Sequence, residues 1–283
     1  MRSPVLAAVR SGVLCLALIV ASSGASEAQP TSDLVQRSAL RVCADPANLP
    51  FSNRDREGFE NKLAELLAEW LDVPVTYTWF PQAIGFIRNT LGERKCDIIV
   101  GYSQGHELVQ NTNHYYRSAY TLLYRADSEL EGVDHLGDPR LKDKRIGVVA
   151  GTPPASTLAL NGLMGNAKSY QRMVDRRHDN PGGEMVDDLV NGEIDAGLLW
   201  GPMGGYYAKQ HGKKVRAVPL LKEEKGPRMA FRITMGIRRG EPDWKLQLNE
   251  FIESHQEEIN AILLDYGVPL LDEQDRLIAK REN

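Results

Sequence analysis

The sequence predicts an α/β protein of two lobes joined by a hinge that the chain crosses twice, and three observations carry that prediction. Helix-like and strand-like hydrophobic spacings alternate along the chain, the grammar of parallel strands with right-handed helical crossovers. The passages Lys95–Tyr102 (KCDIIVGY) and Glu193–Pro202 (EIDAGLLWGP) share one layout, each an aspartate entering an apolar strand that empties into a glycine loop. Residues 229–237 alternate apolar Met229, Phe231, Ile233, Met235 and Ile237 with other residues, a run long enough for a return crossing between lobes.

In order, Arg41-Val42-Cys43-Ala44 is a short strand stopped at Asp45-Pro46, because proline removes a ladder donor. A polar loop over 47–58 follows. Phe59, Leu63, Leu66, Leu67, Trp70 and Leu71 then recur at helical spacing, with Glu60, Lys62, Glu65 and Glu69 on the other face. Residues 75–79 alternate as a half-exposed strand, Ala83 to Leu91 mark a second helix, and 96–101 are a buried strand. The stretch 104–118 is polar and aromatic, and a strand is expected only from Tyr120 to Tyr124. A charged connector over 125–144 separates the halves. The second half opens on the strand 145–150, with Thr152 as helix N-cap and Pro153 in the first turn. It continues through a helix at 185–190, the strand 194–200, a helix from Gly201 and a strand at 215–220. One long helix over 244–266 closes the series at Gly267. The lobes so defined are 39–125 plus 229–272, and 126–228 as the inserted lobe, with crossings near 121–128 and 227–238.

With 42% hydrophobic and 25% charged residues in 283, the chain has the composition of a globular protein large enough for two cores. Arg2 and Arg10 ahead of the apolar run Val13–Val20, then small residues through Ala25 and Ala28, read as a secretory signal peptide over 1–28 and place the protein in the periplasm, with no membrane span after cleavage. Cleavage removes two arginines and one glutamate, which moves the formal charge from −4 to −5. Such a chain has no basic footprint for nucleic acid. Cys43 and Cys96 remain, and they are either a disulfide in an oxidising compartment or two small buried thiols.

Residues 43–53 (CADPANLPFSN) followed by 58–71 (GFENKLAELLAEWL) resemble the opening of periplasmic solute-binding proteins of the amino-acid-receptor type. Within them the run is similar to the MoxJ/XoxJ group, binding-protein-like partners of quinoprotein methanol dehydrogenases, over residues 39–272. The resemblance implies a periplasmic-binding-protein fold and a role as accessory or activation protein. Its implied partner is a methanol dehydrogenase catalytic subunit, of the calcium or the lanthanide kind with the lanthanide-dependent branch preferred, and the enzyme's cytochrome c is a further candidate. A receptor feeding a transporter, for a ligand other than an amino acid, is the alternative.

Amino-acid receptors of this type, as the resemblance implies, hold the ligand carboxylate with an arginine just after the third strand of lobe one, and the ammonium with an aspartate at the end of the matching strand in lobe two. This chain departs at both places. After Val100-Gly101 it offers Tyr102 to Leu108 with no arginine before Arg117, and Trp200 stands at the aspartate position. The expectation is therefore a cleft without an ion pair, rimmed by Phe51, Tyr102, Tyr115, Tyr116 and Trp200, suited to a small hydrophobic or flat ligand or to a protein surface. Asp45, Asn48, Ser52, Asn53, Glu60, Ser103, Arg117 and Thr152 complete the candidate cleft, because ligands in open α/β sheets sit beyond the carboxyl ends of strands. Tyr115 and Tyr116 read equally well as packing residues, and Thr152 as an ordinary cap. The basic run 172–178 reads as a solvated face. No nucleophile elbow, metal-ligand motif or phosphate loop is present, the six histidines are scattered, and no metal or cofactor is expected. Asp45 and Glu60 could serve as acid and base in a dehydratase on this fold, but the expectation is a protein that is not an enzyme.

Overall fold

A computed structural model describes residues 34–105 and 107–279, so the signal peptide expected over 1–28 lies outside the described residues. The chain opens with β1 (Leu40–Ala44), whose end folds into the two-residue strands β2 (Ala47–Asn48) and β3 (Ser52–Asn53). Helix α1 (Phe59–Trp70) follows, then β4 (Val75–Trp79), the single turn α2 (Phe86–Asn89) and β5 (Ile99–Ser103). The long strand β6 (Gln110–Arg125) leads into β7 (Ile146–Val149), α3 (Pro153–Leu160), β8 (Lys168–Tyr170), α4 (Pro181–Val190) and β9 (Ala196–Trp200). After α5 (Gly201–Gln210), β10 (Val215–Pro219) and β11 (Ala230–Ile237), the chain ends in α6 (Pro242–Ser254) and α7 (Gln256–Asp265).

Strand β1 runs parallel to β4 and touches β5 through the parallel Val42–Ile98 bridge. The larger sheet has the order β5-β11-β6-β9-β7-β8, with β10 also on β6. In its second half β9-β7-β8 are parallel, each followed or preceded by a helix. Strands β7 and β9 are buried on both faces, which is why they read as continuous apolar runs rather than alternating ones, whereas β8 at the edge exposes Lys168 and Ser169. Leu122, Tyr124, Ile146, Val148 and Leu198 face one core, while Leu123, Leu199 and Tyr170 face another across the same sheet. In the first lobe Val42, Ile98 and Val100 join Phe59, Leu63 and Leu67 in the main core, and Cys43 and Ile99 look the other way.

The pseudo-equivalence of KCDIIVGY and EIDAGLLWGP has a structural counterpart. Arg41, on the strand beside β5, forks onto Asp97 with two contacts of 2.7 Å, and the Asp97 N–H returns to the Arg41 carbonyl at 2.8 Å. Arg145 does the same to Asp195, whose N–H donates to the Arg145 carbonyl at 2.8 Å. Each lobe thus closes the foot of its central strand with an arginine–aspartate pair. Asp97 is 1% exposed and takes a second guanidinium, Arg238 at 2.6 Å.

Three expectations are corrected. Strand β6 begins at Gln110, not Tyr120. Its first half, QNTNHYYRSA, lacks an apolar pattern because polar side chains are bonded into neighbouring strands and helices: Met235 N–H donates to Thr112 Oγ1 at 2.9 Å, Asn111 Nδ2 to Thr234 Oγ1 at 2.7 Å, and Asn113 N–H to Asn249 Oδ1 at 2.7 Å. The second helix shrinks to the turn Phe86–Asn89. The expected helix over 244–266 is two helices, broken at His255 (φ −118°, ψ 23°) where Ser254 Oγ donates back to the Glu250 carbonyl at 2.8 Å.

Cys43 and Cys96 are joined in a disulfide with Cα atoms 5.4 Å apart, packed with Phe86, Leu91 and Ile99. The bond spans 53 residues, and a loop of that size restricts the unfolded chain by about 4 kcal/mol in the loop-entropy picture. Reduction, or replacement of both cysteines by alanine, is expected to lower the melting temperature by many degrees. Calorimetry with and without dithiothreitol checks this, and an unchanged transition would remove the bond's stabilising role.

Candidate functional site

The carboxyl ends of β7, β8 and β9 and the loop after β1 converge on a cavity of about 450 Å³ between the lobes. The first lobe contributes Asn48, Phe51, Gln82, Ser103, Phe231 and Ile233, and the second contributes Val149, Thr152, Gln171, Arg172, Arg176, Pro181 and Trp200. Tyr120, opposite Trp200 in the β6–β9 register, sits between them. The rings of Tyr120, Trp200 and Phe231 meet edge to face with centroids 5.3, 5.9 and 6.2 Å apart, a geometry that suits their quadrupoles and holds an apolar wall rigid.

The first loop is built by its own polar groups. Asp45 accepts from the Ala47 N–H at 2.9 Å and the Gln82 N–H at 2.6 Å, and Ser52 Oγ donates to the Asp45 carbonyl at 2.9 Å. Asn53 Oδ1 accepts from the Glu57 N–H at 2.8 Å, and Asn61 Oδ1 from the Gly58 N–H at 3.2 Å at the start of α1. Asn48 donates to Gln82 Oε1 at 3.0 Å, but its own Oδ1 is buried with no hydrogen-bond partner. In that state it leaves an acceptor unsatisfied at the cavity wall.

Of the residues expected in the cleft, Asn48, Phe51, Ser103, Thr152 and Trp200 line this cavity. Asp45, Ser52 and Asn53 shape the loop beneath it. Tyr102 instead lines a neighbouring groove with Ala83, Phe86, Leu108 and Met173. Tyr115 and Tyr116 are 1% and 5% exposed in the first-lobe core, where their rings pack on each other at 5.0 Å. Arg117 points to the other side of the sheet, donating to the Asp272 carbonyl at 2.7 Å and pairing with Asp275. Thr152 occupies the N-cap position of α3, yet its hydroxyl donates to the Val149 carbonyl at 2.6 Å and caps nothing.

The basic run is the main correction. It is not wholly a solvated face: it leaves the carboxyl end of β8, and Arg172 and Arg176 enter the cavity wall. Arg172 donates to the Gly151 carbonyl at 3.1 Å. The half-buried Arg176 guanidinium is pushed down by burial and pulled back up by Asp45, and its side chain makes no hydrogen bond or ion pair among the described residues. The charged grip expected to be missing is thus supplied in its cationic half from another element. The missed signal was the three-residue strand Lys168–Tyr170, too short to show by alternation, which places the arginines at a strand end. Tyr120 and Phe231, also missed, look like ordinary strand residues in sequence.

Glu60 lies in the first turn of α1 against Gly101, where any Cβ would collide with Glu60 Oε1. Burial first, and the nearby Asp45 charge second, push its carboxyl up to about 8. The phenols of Tyr115, Tyr116 and Tyr77 face it, themselves raised by burial, so the surroundings offer no cation to offset the charge.

Among the described residues, no helix is long and apolar enough to cross a membrane, and no group of three or more His, Cys, Asp or Glu could hold a metal ion. Two α/β lobes that share a sheet and enclose a cavity between strand ends define a bilobal binding protein, the periplasmic-binding-protein fold. The chain belongs to the bacterial extracellular solute-binding protein family, whose model matches residues 98–268, and it is a periplasmic binding protein of the MoxJ/XoxJ type. It is similar to the solved periplasmic binding protein XoxJ from Methylobacterium extorquens AM1, at 43% identity over 83% of this chain and all of that one, with a TM-score of 0.71. Protein MoxJ of Methylorubrum extorquens (strain AM1) is 29% identical over 93% of this chain and 94% of its own length. An ancestral cationic amino acid solute-binding protein, 24% identical over 82% of this chain and 96% of that one, shares the fold with a TM-score of 0.65.

The raised Glu60 value sets a direction. The folded protein keeps a proton that the unfolded chain releases near 4.5, so stability is fully present below that value and is lost as pH rises towards 8. Glu60→Gln should therefore stabilise by less than about 1 kcal/mol at pH 5, by on the order of 3 kcal/mol at pH 7, and level off above pH 8. Urea unfolding of both proteins from pH 5 to 9 checks this, and parallel curves would mean that Glu60 is solvated in the folded state.

Proposed function

We propose that this protein is a periplasmic accessory or activation protein for a quinoprotein methanol dehydrogenase, built on a solute-binding scaffold. In this reading the catalytic subunit of a lanthanide-dependent enzyme is the partner, its cytochrome c a further one, and the chain itself performs no catalysis. Residues 39–125 plus 229–272 and residues 126–228 act as the two lobes. The similarity to XoxJ and MoxJ supports the association, and the replacement of the receptor arginine and aspartate positions by Tyr102–Gln104 and Trp200 argues against a transporter ligand of the amino-acid type.

The single observation that carries the reading is the apolar rim beside the cavity. Ile84, Leu108 and Met173 are 86%, 65% and 52% exposed. Leu108 and Met173 line a groove that shares Gln82 with the cavity and draws on both lobes. A receptor that only closes on a solute has no use for large apolar side chains in water at its mouth, whereas a protein partner covers them.

Purified protein mixed with the dehydrogenase, in apo and holo forms, should form a complex or change the enzyme's activation. Ile84→Asp should weaken that effect at least about tenfold while leaving the melting temperature within a few degrees, since an exposed side chain contributes little to folding. Trp200→Ala should also weaken it, with a larger thermal cost because its two ring contacts, with Tyr120 and Phe231, are lost. An unaltered dehydrogenase in every mixture removes the reading, and full engagement by Ile84→Asp removes the rim from it.

A further inference from the structure

The cavity wall carries two guanidiniums, Arg172 and Arg176, and no carboxylate. The nearest acidic groups lie outside the lining, and Asp45 acts on Arg176 only through space, without an ion pair. Asp45 turns both oxygens to backbone N–H groups and is not part of the lining, and Glu60 is packed away against Gly101. A half-buried arginine without a partner is costly unless an anion completes it, and a guanidinium fork matches a planar oxyanion. The space in front of it is bounded by the Tyr120, Trp200 and Phe231 rings and by Phe51. A third observation is independent of charge: Asn48, 4% exposed, brings a buried Oδ1 without a partner to the same wall.

We propose that the cavity takes a flat aromatic carboxylic acid bearing a hydrogen-bond donor. Its carboxylate rests on Arg172 and Arg176, its ring system against Tyr120, Trp200 and Phe231, and its donor on Asn48 Oδ1. A carboxylate suits the site better than a phosphate. Helix α3 starts with Pro153 and Pro154, which have no N–H, and the Ala155 N–H is already bonded to the Thr152 carbonyl at 3.1 Å, so the helix end offers no amide cradle. A zwitterionic amino acid is disfavoured, because the lining has nothing anionic for its ammonium. The volume of about 450 Å³ accommodates a two- or three-ring body. This ligand class follows from the cavity alone and does not depend on the dehydrogenase partnership.

The test uses the isolated mature chain, so a failed partnership cannot disguise a failed ligand site. Calorimetric titration compares indole-2-carboxylate, which has both acid and donor, with indole-2-carboxamide, 2-naphthoate and 1-naphthyl phosphate. The expected result is binding of indole-2-carboxylate, at least about tenfold weaker binding of the carboxamide, and intermediate binding of 2-naphthoate, since a hydrogen bond to a charged group contributes more than one to a neutral group. Arg176→Gln and the more exposed Arg172→Gln should each lose about tenfold for the acids and little for the carboxamide. Asn48→Ala should erase the preference for the indole acid over 2-naphthoate. Carboxamide binding equal to acid, phosphate tighter than carboxylate, unchanged affinity in folded Arg172→Gln, or no binding of any probe at millimolar concentration would each overturn the proposal.

Discussion

The architecture depends on one backbone ladder. Strand β6 pairs with β11 through Ala119 and with β9 and β10 from Tyr120 onward, so one uninterrupted strand belongs to the sheets of both lobes. Where it changes partners, Ala230 lies opposite Ala119 and Trp200 opposite Tyr120, and this register brings Tyr120, Trp200 and Phe231 together. A slip of one residue would turn each of those rings to the opposite face. The cavity wall is thus a by-product of strand register, and its rigidity is that of the sheet.

Two kinds of buried carboxyl serve different ends in this frame. Asp97 is ion-paired to Arg41 and Arg238 and knits β1, β5 and the start of α6 together, and Asp195 repeats the device with Arg145. Removing one member of the buried Asp97 set strands the rest, at a typical cost of about 3–5 kcal/mol, whereas the Arg145–Asp195 pair is exposed enough for solvent to screen it. Glu60 has no such cation and holds its proton instead. The same fold therefore uses neutralisation by charge at the strand feet and neutralisation by protonation near the first loop.

Much of this could be read from residues. The helical spacing of α1 and the alternation over 229–237 were legible as periodic signals, and the buried strands at 96–101 and 194–200 as uniform apolar runs, because both of their sheet faces are covered. The lining role of Asn48, Phe51, Ser103, Thr152 and Trp200 followed from their positions beyond strand ends. What escaped has a common cause: long-range polar pairing carries no periodic signal. Residues 110–119 are a strand because Thr112, Asn111 and Asn113 find partners more than a hundred residues away. Arg172 and Arg176 entered the cavity because a three-residue strand aimed them there. Tyr115 and Tyr116 face the core rather than the mouth, a choice that strand phase makes and composition does not.

One contact between the lobes is made with bare backbone. A Cβ on Gly205, in α5, would strike the Gly267 carbonyl, and one on Gly267 would meet the Gly205 carbonyl in turn, with Lys209 and Asp265 paired alongside. Backbone meets backbone here, flanked by the stacked rings of Tyr206 and Tyr266. A methyl group at either glycine would wedge the two carbonyls apart and pull at the ion pair and the Tyr206–Tyr266 stack beside them, so the spacing of the halves at this point is set by two hydrogen atoms.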